Sequence, residues 1–486
     1  MSPRTRGAID TSAIKPVLRA YGVGYLASTA PLVIGRLPAI AREDAGYRQK
    51  IKLLLRVLLK NFGLKRFPTA CAVLIGGSTW LPLVCNRLLY TCGKCLGNIS
   101  LLSSRVSVRL IRFLSALVSG WLAFQILNPN RAASPQDLNG KQQDKTTSDV
   151  AESNHGRGRE QAGRTMDLTL FTATRALSIV AYIAWDRWKS RRKLQGRWTG
   201  IEALVPQIAT AGIFAWSSAV VMWAWFYLPE RLPRSYAKWI TNAAEVDMRL
   251  IEALRRARKG DFLYGKDTGQ APLLQSMCAD YGWPIEWGDP SKTVPMPCEM
   301  IHTGCGPSCE WHAISRFLRG FRFALATYLP VHTLLRLRSK RSAAALRQAV
   351  LGAARSSSFL ALFIALFYYS VCLARTRLGP RLFDAKTVSP MRWDSGLCVG
   401  AGCITCGWSI LFETPRRREE IALFVLPRAV ATFLPRHYDR EYLRREQTAF
   451  ALSAAIILTC VQERPEMVRG VFGRILARVL GSTKKE

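Results

Sequence analysis

Residues 203–229 read ALVPQIATAGIFAWSSAVVMWAWFYLP, with no charged side chain along the whole stretch. A run of roughly 18 or more apolar residues, wound as a helix, reaches across a hydrocarbon core about 30 Å thick. Four further stretches, 67–86, 113–130, 356–374 and 395–412, are equally free of charge. Backbone N–H and C=O groups inside a hydrocarbon layer must be satisfied within their own segment, so such runs predict helices. The expected fold is therefore all-α: a multi-pass transmembrane helical bundle.

The charge balance is consistent with this once its placement is considered. The 486-residue chain has 69 Lys and Arg against 33 Asp and Glu, a net charge of +36, yet 49% of it is hydrophobic. The basic residues fall mostly between the apolar runs, as in Lys189-Ser190-Arg191-Arg192-Lys193 and Arg416-Arg417-Arg418. There they hold helix ends at the headgroup layer and meet anionic lipid, the expected partner. No nucleic-acid module or aromatic-basic ribbon accompanies them, so nucleic acid is not expected. The 13 cysteines do not form a small secreted disulfide scaffold. Several of them (Cys71, Cys85, Cys372, Cys403, Cys406) lie in or at the ends of apolar runs, where a thiol packs as a small hydrophobe. A cleavable secretory signal is not expected.

Internal similarity organises the runs. Phe214-Ala215-Trp216-Ser217-Ser218-Ala219-Val220-Val221 matches Phe450-Ala451-Leu452-Ser453-Ala454-Ala455-Ile456-Ile457 at an offset of 236, which persists to Pro229-Glu230 on Pro465-Glu466 and Tyr236 on Phe472. Upstream, Asp167 to Phe171 with Arg175-Ala176 matches Glu420 to Phe424 with Arg428-Ala429 at an offset of 253. Farther upstream, Arg66 and Arg87 bracket one run as Arg355 and Arg375 bracket another, at offsets of 289 and 288. The pattern predicts an internal duplication with about 8–10 membrane segments, from five candidate helices per copy: near 17–37, 67–88, 108–127, 166–185 and 204–228, and near 317–337, 356–375, 395–412, 419–435 and 447–463. The expected parts are a first helical repeat over 1–228, containing a disordered loop at 128–165; a soluble Cys/His-bearing region at 229–316; a second repeat over 317–476; and a basic tail at 477–486. Residues 234–259 read as one basic amphipathic helix ending near Gly260, followed by an aromatic platform around Tyr281, Trp283 and Trp287. Small residues at helix-packing spacing, Gly396 with Gly400 and Cys403 with Gly407, predict close helix contacts.

Two features could carry chemistry. Arg175 and Arg428 occupy matching places inside expected spans. A guanidinium at membrane depth costs at least a few kcal/mol and needs a partner or a water-filled cavity. The acids Asp167 and Glu420 lie eight residues earlier, roughly 12 Å along a helix axis, too far to serve. Carbonyls of neighbouring helices, a passing anionic group or snorkelling to the interface are the alternatives. The second feature is the cluster Cys298, His302, Cys305, Cys309 and His312. Thiolate and imidazole suit tetrahedral zinc, but Gly304, Gly306 and Pro307 interrupt it and the spacing matches no standard finger. A Cys–Cys pairing or a hydrogen-bonded loop is the alternative. No nucleophile elbow, phosphate loop, HExxH or paired carboxylates are present, so no enzymatic activity or catalytic residue is expected.

Pro297-Cys298-Glu299-Met300-Ile301-His302-Thr303, Pro307-Ser308-Cys309, Tyr328-Leu329-Pro330 and Arg355-Ser356-Ser357-Ser358-Phe359-Leu360 resemble the cysteine-rich part of the transmembrane protein 135 family. Cys372-Leu373-Ala374-Arg375 and Arg416 to Phe424 resemble it too, so the match spans roughly 297–430; the first half looks like its longer fungal members. The resemblance implies a multi-pass protein of peroxisomal or mitochondrial membranes, concerned with lipid or metabolite handling or with organelle dynamics. It implies no catalytic residues. A more distant similarity to inner-membrane protein translocase subunits implies a channel as another role. An adaptor that recruits protein partners through 229–316 is a further expectation.

Overall fold

Local signals in the sequence set where each helix begins and ends. The computed structural model describes residues 11–42, 47–59, 61–96, 105–128, 161–163, 165–337, 342–384 and 386–481. Within them, the chain runs α1 (Thr11–Arg42), α2 (Tyr47–Leu59), α3 (Phe67–Leu96), α4 (Arg105–Leu127), α5 (Met166–Leu194) and α6 (Gly200–Tyr227). It continues with α7 (Arg234–Ala244), α8 (Met248–Lys259), α9 (Ala271–Tyr281), α10 (Cys298–His302) and α11 (Cys309–Leu337). The last five are α12 (Ala343–Arg377), α13 (Pro390–Phe412), α14 (Pro415–Ala431), α15 (Leu443–Glu463) and α16 (Gly470–Leu480). A two-residue antiparallel pair, β1 (Gln161–Ala162) with β2 (Tyr438–Asp439), is the one strand pairing among the described residues. Thr199 and Glu202 form a reciprocal capping box that starts α6, satisfying backbone donors that a helix N-terminus leaves open. Most of the loop expected to be disordered, 128–165, lies outside the described residues.

Each of the ten expected segments is helical, and among the described residues seven helices are long and apolar enough to cross a membrane: α1, α3, α4, α5, α6, α12 and α13. The other three fall short for visible reasons. Charges at Arg322 and Arg336 break α11, α14 has 17 residues, and only the stretch 447–462 of α15 is uncharged. Along the seven, large apolar side chains such as Leu177 and Ile404, each 66% exposed, find no protein cover. A water-soluble surface does not carry so many. The chain is a multi-pass membrane protein.

The molecule divides into two units, residues 1–197 with 436–486, and residues 198–435. In the first unit, α1 packs on α3, α3 on α4, α4 on α15, and α15 on α5. In the second, α11 packs on α12, α12 on α13, α13 on α6, and α6 on α14. This differs from the boundaries expected at 228 and 317, because α6 packs in the second unit and α15 in the first. Burial explains it. Phe214, Val221 and Trp225 of α6 share a core with Phe367, Val399 and Ile410, while Ala455 and Leu458 of α15 share one with Ala20, Ile75 and Ala116.

Two glycines set how closely these helices approach. A Cβ on Gly407 would lie 2.5 Å from the Ala215 Cα, and one on Gly120 would lie 3.0 Å from the Ala451 Cα. Ala215 and Ala451 are themselves related by the offset of 236. Gly396, by contrast, has a φ of 151° and interrupts the start of α13, so the Gly396 and Gly400 pair makes no comparable packing seam.

The region 229–316 is not a separate body; it folds as part of the second unit. Leu250, Phe262, Leu274, Met277, Met300 and Ile301 form a small core there, and Tyr281 stacks on Trp283 as the expected platform. The single helix expected over 234–259 is two helices. Glu245 adopts a left-handed φ of 46°, and the Asp247 side chain caps α8 by accepting from the Arg249 N–H. The end at Gly260, with φ 89°, is as expected. The basic tail expected from 477 begins inside α16, where Val479 is buried.

Gly407→Val and Gly120→Val each force two backbones apart, and each is expected to destabilise the protein by about 1–3 kcal/mol. Gly212→Ala, where nothing lies within 4 Å of the added carbon, is expected to stabilise by about 0.5–1 kcal/mol. Thermal unfolding of the purified protein in detergent reads all three.

Candidate functional site

The Cys/His cluster is shaped by a short turn. α10 stops at Thr303, which has a φ of 47°, and Gly304 and Gly306 follow at 83° and 84°. Glycine reaches this region without steric cost. The turn brings the Gly306 carbonyl to 2.7 Å from His302 Nδ1. A carbonyl can only accept, so Nδ1 carries the proton and Nε2 presents a lone pair. The metal-binding atoms of Cys298, His302 and Cys309 all lie within 4.8 Å of one another. These three can hold a metal ion.

The other two residues expected in the cluster lie outside that group. Cys305 Sγ is 3.5 Å from Ser315 Oγ. His312 is fully buried, stacked on His302 at a centroid distance of 4.5 Å and edge-on to Tyr368 at 5.2 Å. Neither of its ring nitrogens has a hydrogen-bond partner. In the sequence His312 resembles a ligand because it sits three residues beyond Cys309; in the structure its role is packing. Burial lowers the His302 pKa. Burial, helped by the positive charges of Arg316 and nearby basic groups, takes that of His312 down to about 3. Burial also raises the Cys298 thiol, against the opposing effect of Arg375.

A residue that the spacing did not single out joins them. Cys372, in the last turns of α12 and fully buried, places Sγ 3.4 Å from His302 Nε2. Nearby, Arg375 and Asp394 form a bidentate pair, Nε to Oδ1 at 2.5 Å and Nη2 to Oδ2 at 2.8 Å. Their side chains are 3% and 2% exposed. Arg375 Nη2 also donates to the Met296 carbonyl, and Nη1 approaches Cys298 Sγ at 3.8 Å. Tyr264 donates its hydroxyl to Asp394 Oδ2 at 2.5 Å. Arg316 supports the same region by donating to the carbonyls of Ala244 and Glu245 at 3.0 and 2.9 Å and to the Thr303 hydroxyl.

Arg175 and Arg428 lie elsewhere, each within its own unit. The Arg428 guanidinium lies 3.8 Å from the Phe424 ring centroid and 5.4 Å from that of Tyr236. The Arg175 guanidinium lies 5.3 Å from the centroid of Phe171 and 5.7 Å from that of Phe472. By the offsets of 253 and 236, Phe171 matches Phe424 and Phe472 matches Tyr236. Each charge is held by two ring faces, a favourable arrangement for a partly desolvated cation. The carbonyl that Arg428 meets belongs to Phe424 of its own helix, where carbonyls of neighbouring helices were among the expected partners.

Both ring pairs line cavities. In the second unit a cavity of about 400 Å³ is walled by Phe424, Tyr236, Trp225, Trp239, Phe359 and Phe363, among others. In the first unit one of about 280 Å³ is walled by Phe171, Phe472, Val23, Leu74, Leu168 and Ile457, among others. Both linings are almost wholly apolar. No family model matches the chain, and comparisons with curated proteins and with solved structures find no significant match.

Asp394→Asn is expected to cost about 3–5 kcal/mol, because it leaves the buried Arg375 charge without its counterion. The double variant Arg375→Met with Asp394→Leu is expected to recover most of that loss, as read by chemical unfolding in detergent. His312→Phe keeps the ring stack while removing two unpaired nitrogens, and is expected to leave the melting temperature unchanged or raise it.

Proposed function

We propose that this chain is a non-enzymatic membrane protein that binds lipid, one apolar chain in the cavity of each unit with an anionic headgroup beside the adjoining arginine. The observation that carries the reading is the pairing of an apolar, aromatic-walled cavity with a ring-held guanidinium, found once in each unit. A volume near 400 Å³ falls within the range of small-molecule sites, and one or a few polar groups at the edge of such a site set orientation. Arg428 has five N–H donors, and the Phe424 carbonyl takes one of them. An anionic headgroup suits the rest.

The same order of packed helices in both units supports a duplication in which the fifth helix of each copy has been exchanged. α6, with the Pro229–Arg231 turn and α7, repeats as α15, Pro465–Met467 and α16 at the constant offset of 236. The resemblance of residues 297–430 to the transmembrane protein 135 family supports a place in the peroxisomal or mitochondrial membrane. Lipid or metabolite handling there is the role it favours. We read the metal that Cys298, His302 and Cys309 can hold as zinc, from the soft donor set.

Lipid retained by the purified full-length protein, quantified by mass spectrometry after delipidating washes, tests the reading. The wild-type protein is expected to keep anionic lipid in near-stoichiometric amount. The double variant Arg175→Gln with Arg428→Gln is expected to lower that amount about tenfold or more, the equivalent of losing at each site a charge-assisted hydrogen bond of roughly 1.5–3 kcal/mol. Val221→Trp fills the larger cavity and is expected to lower anionic and neutral lipid together. If the wild-type protein keeps no lipid, or if both variants keep as much as it does, the proposal is wrong.

A further inference from the structure

We propose that Cys372 is the fourth ligand of a tetrahedral zinc site completed by Cys298, His302 and Cys309, which fastens the loop after α10 to the end of the membrane helix α12. This rests on the reading that the three clustered side chains hold zinc, and it adds a ligand supplied from a different part of the fold.

The geometry carries it. Zinc bonds of about 2.3 Å to sulfur and about 2.0–2.1 Å to nitrogen, set at tetrahedral angles, separate a sulfur ligand from a nitrogen ligand by about 3.6 Å. Cys372 Sγ and His302 Nε2 stand 3.4 Å apart. The metal-binding atoms of Cys298, His302 and Cys309 lie within 4.8 Å of one another. Cys372 adjoins that group through His302 Nε2, the ring nitrogen left free to bind a metal. Cys309 is 7% exposed and both Cys372 and His302 are fully buried.

The surroundings supply what a metal site needs beyond its ligands. A metal-bound histidine typically donates its other ring N–H to a carbonyl or carboxylate, which fixes the tautomer and aims the free nitrogen at the metal. His302 Nδ1 does this toward Gly306. Three thiolates, one neutral imidazole and one Zn²⁺ leave a net negative charge, which a nearby cation offsets. Arg375 Nη1, 3.8 Å from Cys298 Sγ, is placed to donate to that sulfur. Cys305 and His312 are not needed to complete four ligands. A structural zinc site has four protein ligands and no open position, so a fastening role follows.

Full-length protein purified in detergent, without added metal and after a mild chelator wash, is analysed by elemental mass spectrometry and zinc-edge X-ray absorption. The expected result is one zinc per chain, with three sulfurs at about 2.3 Å and one nitrogen at about 2.0 Å. Cys372→Ser is expected to lose at least tenfold in zinc affinity against a competing chelator, while Cys305→Ser and His312→Phe keep the wild-type affinity. No zinc in the wild-type protein, or a disulfide among Cys298, Cys309 and Cys372 in mapped peptides, overturns the zinc reading and this proposal with it. A two-sulfur absorption spectrum, or unchanged affinity in Cys372→Ser, overturns the role of Cys372 alone. The wild-type spectrum decides the ligand count even where a variant does not fold.

Discussion

Arg375, near the end of α12, and Asp394, near the start of α13, meet almost wholly out of solvent. Taking two such charges out of water costs several kcal/mol per ion, and mutual attraction repays it only when the remaining donors and acceptors are also met. Here they are met one by one. Arg375 reaches Asp394, the Met296 carbonyl and the Cys298 sulfur; Asp394 also accepts from Tyr264, whose oxygen in turn accepts the Met296 N–H at 3.2 Å. The pair therefore does more than hold α12 beside α13. It draws the loop around 296–298 and Tyr264 onto the same point, so the region 229–316 has no independent footing. That is why residues 229–316 belong to the second unit and do not stand apart.

The helices were legible in the sequence for a simple reason. A membrane demands unbroken apolar length, and the chain meets that demand in plain runs such as 203–229 and 356–374. Caps were legible too where their chemistry is local, as at Gly260. The split at Glu245 was not. Nothing in the hydrophobic periodicity of 234–259 marks it, because its cause is distant in sequence. Arg316 takes the Ala244 and Glu245 carbonyls, and Tyr368 donates to Ala244 as well, at 3.0 Å. These donors satisfy the carbonyls that the end of α7 leaves without partners in its own helix. Asp394 was missed in a similar way: a single acid at the edge of an apolar run reads as a flank until Arg375 is seen opposite.

The packing of α6 in the second unit and of α15 in the first shows a different limit. Similarity between segments reveals that two helices are alike, but alike helices offer the same face to either set of partners. Ala215 fits against Gly407, and its counterpart Ala451 fits against Gly120. A sequence read in order assigns each fifth helix to the copy it follows. The arginines illustrate the consequence. Arg175 and Arg428 stood out at once, yet their partners are rings from segments well beyond their own helices, Phe472 in α16 and Tyr236 in α7. The matching of Tyr236 to Phe472 was visible as a repeat signal. Its meaning as a shared arginine clamp needed the packing.

Gly304, Gly306 and Pro307 had argued against a metal site, since they break any continuous helical face and spoil the spacing of a standard finger. In the folded chain the same residues give the cluster its shape. The left-handed turn lets the Gly306 carbonyl fold back to His302 Nδ1, which leaves Nε2 bare and aimed at sulfur. It also resets the chain so that Cys309 opens α11 beside α10. Cys372 escaped notice for the opposite reason. Within an apolar run a thiol is indistinguishable from a small hydrophobe, and only the position of His302 Nε2 separates the two roles. Spacing rules for metal sites describe ligands carried on one local scaffold. Where a membrane helix brings a thiol against a group carried by two other helices, the relevant spacing lies in the contact between them, and that contact is supported by Arg375 three residues farther along the same helix.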